Sequence, residues 1–266
     1  MKNICEQFRG QQDNLYFYDG DEATRVPNFH FLKTHSEEYR NAEDPFLNPS
    51  LFAKAEFQKS YEEANQRAEV LFRETQEDVL KFLKRKRGHF TETEYQDYIR
   101  KIKTAQLSSI LDPKIRKLAV GACQRPNAIY IRGFHELLIC PNLMNMPNQT
   151  LQKVIAHELG HAIQGLQQKI ACFQKFPARQ SEEAFADWVS SEIISHNLKQ
   201  EKNKVLAKKK AIESQMLFLS VACFATTTTQ SYSYPSIQNR VEKIFLAQTA
   251  FQEVLHCQNP NVPHCE

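Results

Sequence analysis

The sequence predicts a mainly α-helical protein with one small β-sheet, an α+β arrangement. Three observations carry that expectation. Apolar residues recur at three- and four-residue intervals over long stretches, the period of a helix with one buried face. Two short apolar runs, 128–131 and 135–139, flank a turn containing Gly133 and read as a single hairpin. The 266 residues include only seven glycines and are 41% hydrophobic, which fits a helix-rich chain long enough to bury a substantial core.

The elements follow in order. Residues 1–48 mix polarities, with Pro27, Pro45 and many aromatics, and read as a loose wrap. Residues 50–87 place Phe52, Phe57, Tyr61, Ala64, Ala68, Leu71, Phe72, Val79 and Phe82 at helical spacing, in one long helix or two. The run Lys84-Arg85-Lys86-Arg87 before Gly88 reads as a helix C-terminus complementing the dipole. A nucleic-acid or anionic-lipid contact is its competing reading. Thr91-Glu92-Thr93-Glu94 has the capping-box form and starts a helix to about Ser108. Asp112-Pro113 starts a short one to Gly121, and the hairpin follows. Asn145-Met146-Pro147-Asn148 then introduces a helix lined by Leu151, Val154, Ile155, Leu159, Ala162, Ile163 and Leu166. A loop over 173–180 leads to a second helix with Ser181 as its N-cap. A helix over most of 200–224, a linker at 226–229 and a last helix over about 236–255 complete the chain. Lys208-Lys209-Lys210 reads as a solvated helix face.

The chemistry concentrates in His157-Glu158-Leu159-Gly160-His161. Residues four apart share a helix face, so His157 and His161 can present two imidazoles to one metal ion. Glu158 is one residue round from the first ligand, which sets its carboxylate beside the metal. Two nitrogen ligands, an adjacent acid and a third ligand from elsewhere are what a zinc peptidase needs. Glu183 follows His161 by 22 residues, enough for a loop and a returning helix, and is the candidate third ligand. Asp187, four residues later on the same face, is placed to accept the free ring N–H of a ligand histidine. Glu182 is the weaker ligand candidate. His135-Glu136 has no second histidine at the required spacing and is a decoy.

Around these motifs the chain resembles a known family. Pro126-Asn127-Ala128 opens the hairpin, Val154-Ile155-Ala156 precedes the His157–His161 motif, and Glu183-Ala184-Phe185-Ala186-Asp187 has the form E-x-x-A-D. This resembles the gluzincin metallopeptidases that include the HtpX-type heat-shock proteases and the CAAX prenyl proteases. The resemblance covers about residues 115–245. It implies a zincin-like catalytic domain over 111–266, with residues 1–110 as a helical N-terminal extension. The family also carries His-Pro with an arginine six residues after the histidine. This chain has Tyr234-Pro235 and Arg240, spacing intact but tyrosine in place of histidine. A phenol can donate to a developing oxyanion, so Tyr234 is either that donor or a packed core residue, with Tyr232 a competing donor. Arg240 pairs with an active-site carboxylate or the substrate backbone, or else makes a plain helix salt bridge. Family members often carry transmembrane helices. No window here approaches the roughly 18–20 apolar residues a span requires.

The activity implied is zinc-dependent hydrolysis of peptide bonds in protein or peptide substrates. One Zn2+ would be held by His157, His161 and Glu183, with Glu158 as general base and an extended substrate along a hairpin edge. A net charge of +3, from 34 basic and 31 acidic residues, is too balanced to argue for nucleic acid. The start Met1-Lys2-Asn3-Ile4-Cys5 has no apolar leader stretch, which favours a reducing cytosol and free thiols. Against this, Cys123 and Cys140 flank the hairpin, and Cys257 and Cys265 close a short tail loop, so either pair could be a bridge after export by a non-Sec route. The two His-Cys pairs of the tail, His256-Cys257 and His264-Cys265, are also read as a minor metal site, though with no usual zinc spacing. Three functional readings stand: a soluble zinc endopeptidase, a secreted effector protease with one target, and a zinc-bound interaction protein without catalysis.

Overall fold

The computed structural model describes residues 18–19, 22–23, 55–123, 127–144, 146–173, 176–217 and 235–256. Within them the protein is mainly helical with a three-stranded sheet. Strands β1 (Tyr18–Asp19) and β2 (Glu22–Ala23) pair antiparallel. Helix α1 spans Ala55–Arg85 and α2 Glu92–Thr104. Strand β3 (Gln106–Ser108), helix α3 (Pro113–Ala122) and strands β4 (Ala128–Ile131) and β5 (Glu136–Ile139) follow. A short helix α4 (Pro141–Met144) leads to α5 (Asn148–Ala162), α6 (Ala178–Gln200) and α7 (Lys204–Ser214). Helix α8 (Ile237–Arg240) runs into a π-helical turn over Val241–Phe245, and α9 is Thr249–Leu255.

Local chemistry accounts for several boundaries. Thr91 accepts from Glu94 N while the Glu94 carboxylate accepts from Thr91 N, so both orphan donors at the start of α2 are satisfied. Asp112 caps α3, accepting from Lys114 N with Pro113 in the first turn. Asn203 caps α7, accepting from Val205 N and Leu206 N. Three expected boundaries move. The helix from Thr91 ends at Thr104 rather than Ser108, because Gln106–Ser108 pair in parallel with Glu136–Leu138 of β5. The helix expected over most of 200–224 starts at Lys204, because α6 runs through to Gln200 and the chain breaks at 201–203; residues 218–224 lie outside the described residues. The last helix is divided between α8, the π turn and α9.

The sheet order is β3-β5-β4, so β5 is central and β4 is an edge. Helix α5 packs across this sheet, with α1 and α6 against its other sides. Val79, Phe82 and Leu83 of α1 are fully buried in one cluster with Leu151, Ile155 and Leu159 of α5 and Phe185, Trp188 and Val189 of α6. Each such side chain stabilises by about 1.5–3 kcal/mol on burial. Helix α1 and strand β3, both before residue 110, thus share the core and the sheet with the elements after it. The basic run at the end of α1 is engaged within the chain. Lys86 Nζ lies 5.0 Å from the Trp188 ring centroid and 3.9 Å from Glu192, and Arg87 bonds Glu92 and stacks on Tyr95. Lys209 and Lys210 pair with Glu213 and Glu201. Among the described residues, no helix is long and apolar enough to cross a membrane.

Cys123 and Cys140 are joined by a disulfide that ties the end of α3 to the end of β5. Cys172 is also disulfide-bonded. The expectation of free thiols is therefore corrected for these three. Cys5, Cys223, Cys257, Cys265 and His264 lie outside the described residues.

Candidate metal centre

Helix α5 carries His157, Glu158 and His161, and each offers an atom within 4.8 Å of the others. The imidazoles sit on one face, ring centroids 5.1 Å apart. Helix α6 brings Glu183 to both: its Oε2 is 3.2 Å from His157 Nε2 and 3.7 Å from His161 Nε2. The loop between them contains a 3-10 segment at Gln164–Lys169, and α6 starts at Ala178 after Pro177. Ser181 is therefore not the N-cap. It lies inside the first turns of α6, where its hydroxyl donates to Phe173 O and ties the loop to the helix.

Helices α5 and α6 approach closely because residue 160 is glycine. A Cβ there would lie 3.1 Å from Ala186 Cα and 3.4 Å from Ala186 Cβ. Gly160 thus sets the distance at which Glu183 meets the imidazoles. A glycine inside a helix-spaced pattern was the available signal, since it weakens a helix unless packing requires it.

Behind the first histidine lies a chain of charge. His157 Nδ1 is 3.0 Å from Asp187 Oδ1, and Asp187, 1% exposed, receives Arg240 at both oxygens. Of the readings open for Arg240, the structure brings it to this carboxylate. Asp187 fixes the tautomer that leaves Nε2 facing Glu183 and His161. Burial opposes charge on Asp187, but Arg240 and His157 outweigh it and hold the carboxyl well below its usual range. Burial also opposes charge on His157, yet hydrogen bonds to Asp187 and Glu183 carry its pKa up to about 9. His161 is pushed down to about 4 by burial and by the charge on His157.

Glu158 is held from the sheet side. Its Oε2 accepts the backbone N–H of Tyr130 at 2.9 Å, from edge strand β4. Burial is the main cause that pushes its pKa up to about 7, with His157 and the Tyr130 N–H pulling back. No side-chain motif marks Tyr130 for this role, because the donor is main chain. The decoy pair is used elsewhere: His135, at φ 54°, bonds the Tyr130 hydroxyl at 2.7 Å, and Glu136 accepts from Ser108 at 2.7 Å. Glu182 pairs with Arg132 at 3.0 Å. Tyr234 and Tyr232 lie outside the described residues.

The donor set is of a kind that could hold a metal ion. Zn–N and Zn–O bonds of about 2.0–2.2 Å put neighbouring ligand atoms about 3.3 Å apart. The Glu183 Oε2 distances of 3.2 and 3.7 Å bracket that value. Apart from the two imidazoles, the buried Glu183 Oε2 has no hydrogen-bond partner among the described residues, whereas Glu158 Oε2 is taken by Tyr130. Glu183 thus turns an oxygen to the two imidazoles, while one Glu158 oxygen is held by the main chain. No family model, curated protein or solved structure matches this chain.

Proposed function

We propose that this protein is a zinc-dependent endopeptidase of zincin-like architecture that cleaves protein or peptide substrates. One observation carries the reading: a buried, otherwise unpartnered Glu183 oxygen faces both imidazole Nε2 atoms while Asp187 holds the far side of His157. His157, His161 and Glu183 would hold the ion. Bound there, zinc supplies a Lewis acid and a water acidified toward neutrality. Glu158 takes the proton of the attacking water on the oxygen that Tyr130 leaves open and returns it to the leaving amine nitrogen. Its elevated pKa suits a group that must both accept and give a proton near neutral pH. Asp187 and Arg240 keep His157 oriented. The outward backbone groups of β4 other than the Tyr130 N–H, which Glu158 takes, offer an edge to which an extended substrate can add by main-chain hydrogen bonds.

The disulfides favour one version of this reading. Such bonds persist in oxidising compartments, so the Cys123–Cys140 bridge and the bonded Cys172 support action outside a reducing cytosol, as expected of an exported protease.

Metal stoichiometry on wild type and His161→Ala, with casein hydrolysis by wild type and Glu158→Gln, tests the function. One zinc per chain, lost in His161→Ala, and hydrolysis reduced by about 10²–10⁴ in a Glu158→Gln that keeps its zinc are expected. Wild type that takes up no zinc sinks the metal reading. Zinc without hydrolysis in wild type leaves a metal-bound interaction protein.

A further inference from the structure

A cavity of about 670 Å3 adjoins the candidate centre and shares His161 as a wall. Tyr98, Lys101, Arg132, Phe173 and Glu182 also line it. A ligand there would lie beside the His161 imidazole and among charged groups. Arg132 follows β4 and Glu182 belongs to α6, so their pair bridges the hairpin and the Glu183 helix.

The two charges are not equally committed. Arg132 Nη2 donates to both Gln164 and Glu182, while its Nε and Nη1 donate to nothing among the described residues. The Arg132 side chain is 57% exposed. Glu182 accepts from Arg132 Nη2 at 3.0 Å, so its charge is already answered. Lys101, paired with Asp97 at 2.7 Å, adds a second cation to the wall. Both two-pronged faces of the guanidinium include Nη2, which is taken, so a carboxylate would meet Arg132 through a single charge-assisted hydrogen bond from Nη1 or Nε.

We propose that this cavity receives the substrate beside the scissile bond and that Arg132, oriented by Glu182, selects for a carboxylate there. An acidic side chain or a free chain terminus could supply it. The volume also admits a neighbouring residue. The inference rests on the peptidase reading and assigns that site its substrate preference.

The test uses zinc-loaded protein and short oligo-alanine peptides, blocked at both ends, each with a single Glu, Gln, Lys or Phe. The alanine background has no register, so the favoured residue selects its own subsite and the bond cut reports where it sits. Cleavage of the Glu peptide about tenfold above the Gln peptide in kcat/KM is expected, at one fixed distance from Glu. Arg132→Gln should abolish that ratio, and Arg132→Lys should restore part of it. Faster cleavage of the Gln peptide once its C terminus is freed would assign the carboxylate to the chain end. Binding of the same peptides to zinc-loaded Glu158→Gln should show the same Glu-over-Gln ratio without turnover. Cleavage with no acidic preference, a preference for Lys, or a ratio that survives Arg132→Gln overturns the subsite and leaves the peptidase standing. Preferential binding of the Glu peptide without cleavage of any peptide by wild type keeps the subsite and overturns the peptidase.

Discussion

Arg240 closes a fork on Asp187: Nε lies 2.5 Å from Oδ2 and Nη2 lies 2.8 Å from Oδ1. The same Oδ1 stands 3.0 Å from His157 Nδ1, so a residue on α8 reaches the candidate ligand through one carboxylate. Arg240→Ala leaves Asp187 buried beside a single imidazole. We expect zinc affinity to fall by about 10–100-fold, the usual effect of losing an outer contact to a ligand. Stability should fall by about 3–5 kcal/mol, as when one partner of a buried pair is removed. Competition with a zinc chelator and thermal melts of the same variant separate the two effects. Wild-type zinc affinity in Arg240→Ala would show that Asp187 holds His157 unaided.

The pH dependence of hydrolysis follows from Glu158. A general base must be deprotonated, so kcat/KM should fall as pH drops through its pKa. Burial pushes that pKa up to about 7. A bound dication opposes this push, so the acid limb belongs between about 4.5 and 7. A profile flat across that interval would remove Glu158 from the base role.

Gly160 tests the helix contact directly. Gly160→Val puts branched carbon where Ala186 Cα already lies 3.1 Å from a built Cβ. Overpacking of this kind costs about 1–3 kcal/mol, and here it drives α6 from α5 and carries Glu183 away from the imidazoles. We expect a folded protein by circular dichroism with zinc binding weakened more than stability. Unchanged zinc affinity would show that α6 need not sit this close for Glu183 to bind.

Reduction should destabilise the protein. The Cys123–Cys140 bridge spans a sequence separation of 17. Closing a loop of that size contributes about 3 kcal/mol, chiefly by restricting the unfolded chain. Cys123→Ser with Cys140→Ser should lower Tm in oxidising buffer and remove this bridge's share of the drop caused by reductant. Equal Tm for the double variant and wild type would show that the bridge adds nothing to stability.

The sequence carried the local half of this protein. His157, Glu158 and His161 sit within one and a half helical turns, so a 3.6-residue period alone brings them to one side. The capping box at Thr91, the Asp112 cap and the hairpin about Gly133 are short-range features and were legible for the same reason. Asp187 could be placed with Glu183 because they share a helix face. Expectations failed where distant segments decide. Gln106–Ser108 reads as the tail of a helix until β5 offers its backbone a partner 30 residues on. Ser181 looks like a cap until Pro177 starts α6 a turn earlier and Phe173 O claims the hydroxyl. The spacing from Pro235 marked Arg240 but left its partner open, and tertiary packing decided that this partner is Asp187, that a main-chain N–H of β4 holds Glu158, and that Gly160 admits α6. Each contact joins residues far apart in the chain, where geometry depends on how whole elements pack and not on any spacing that a sequence records.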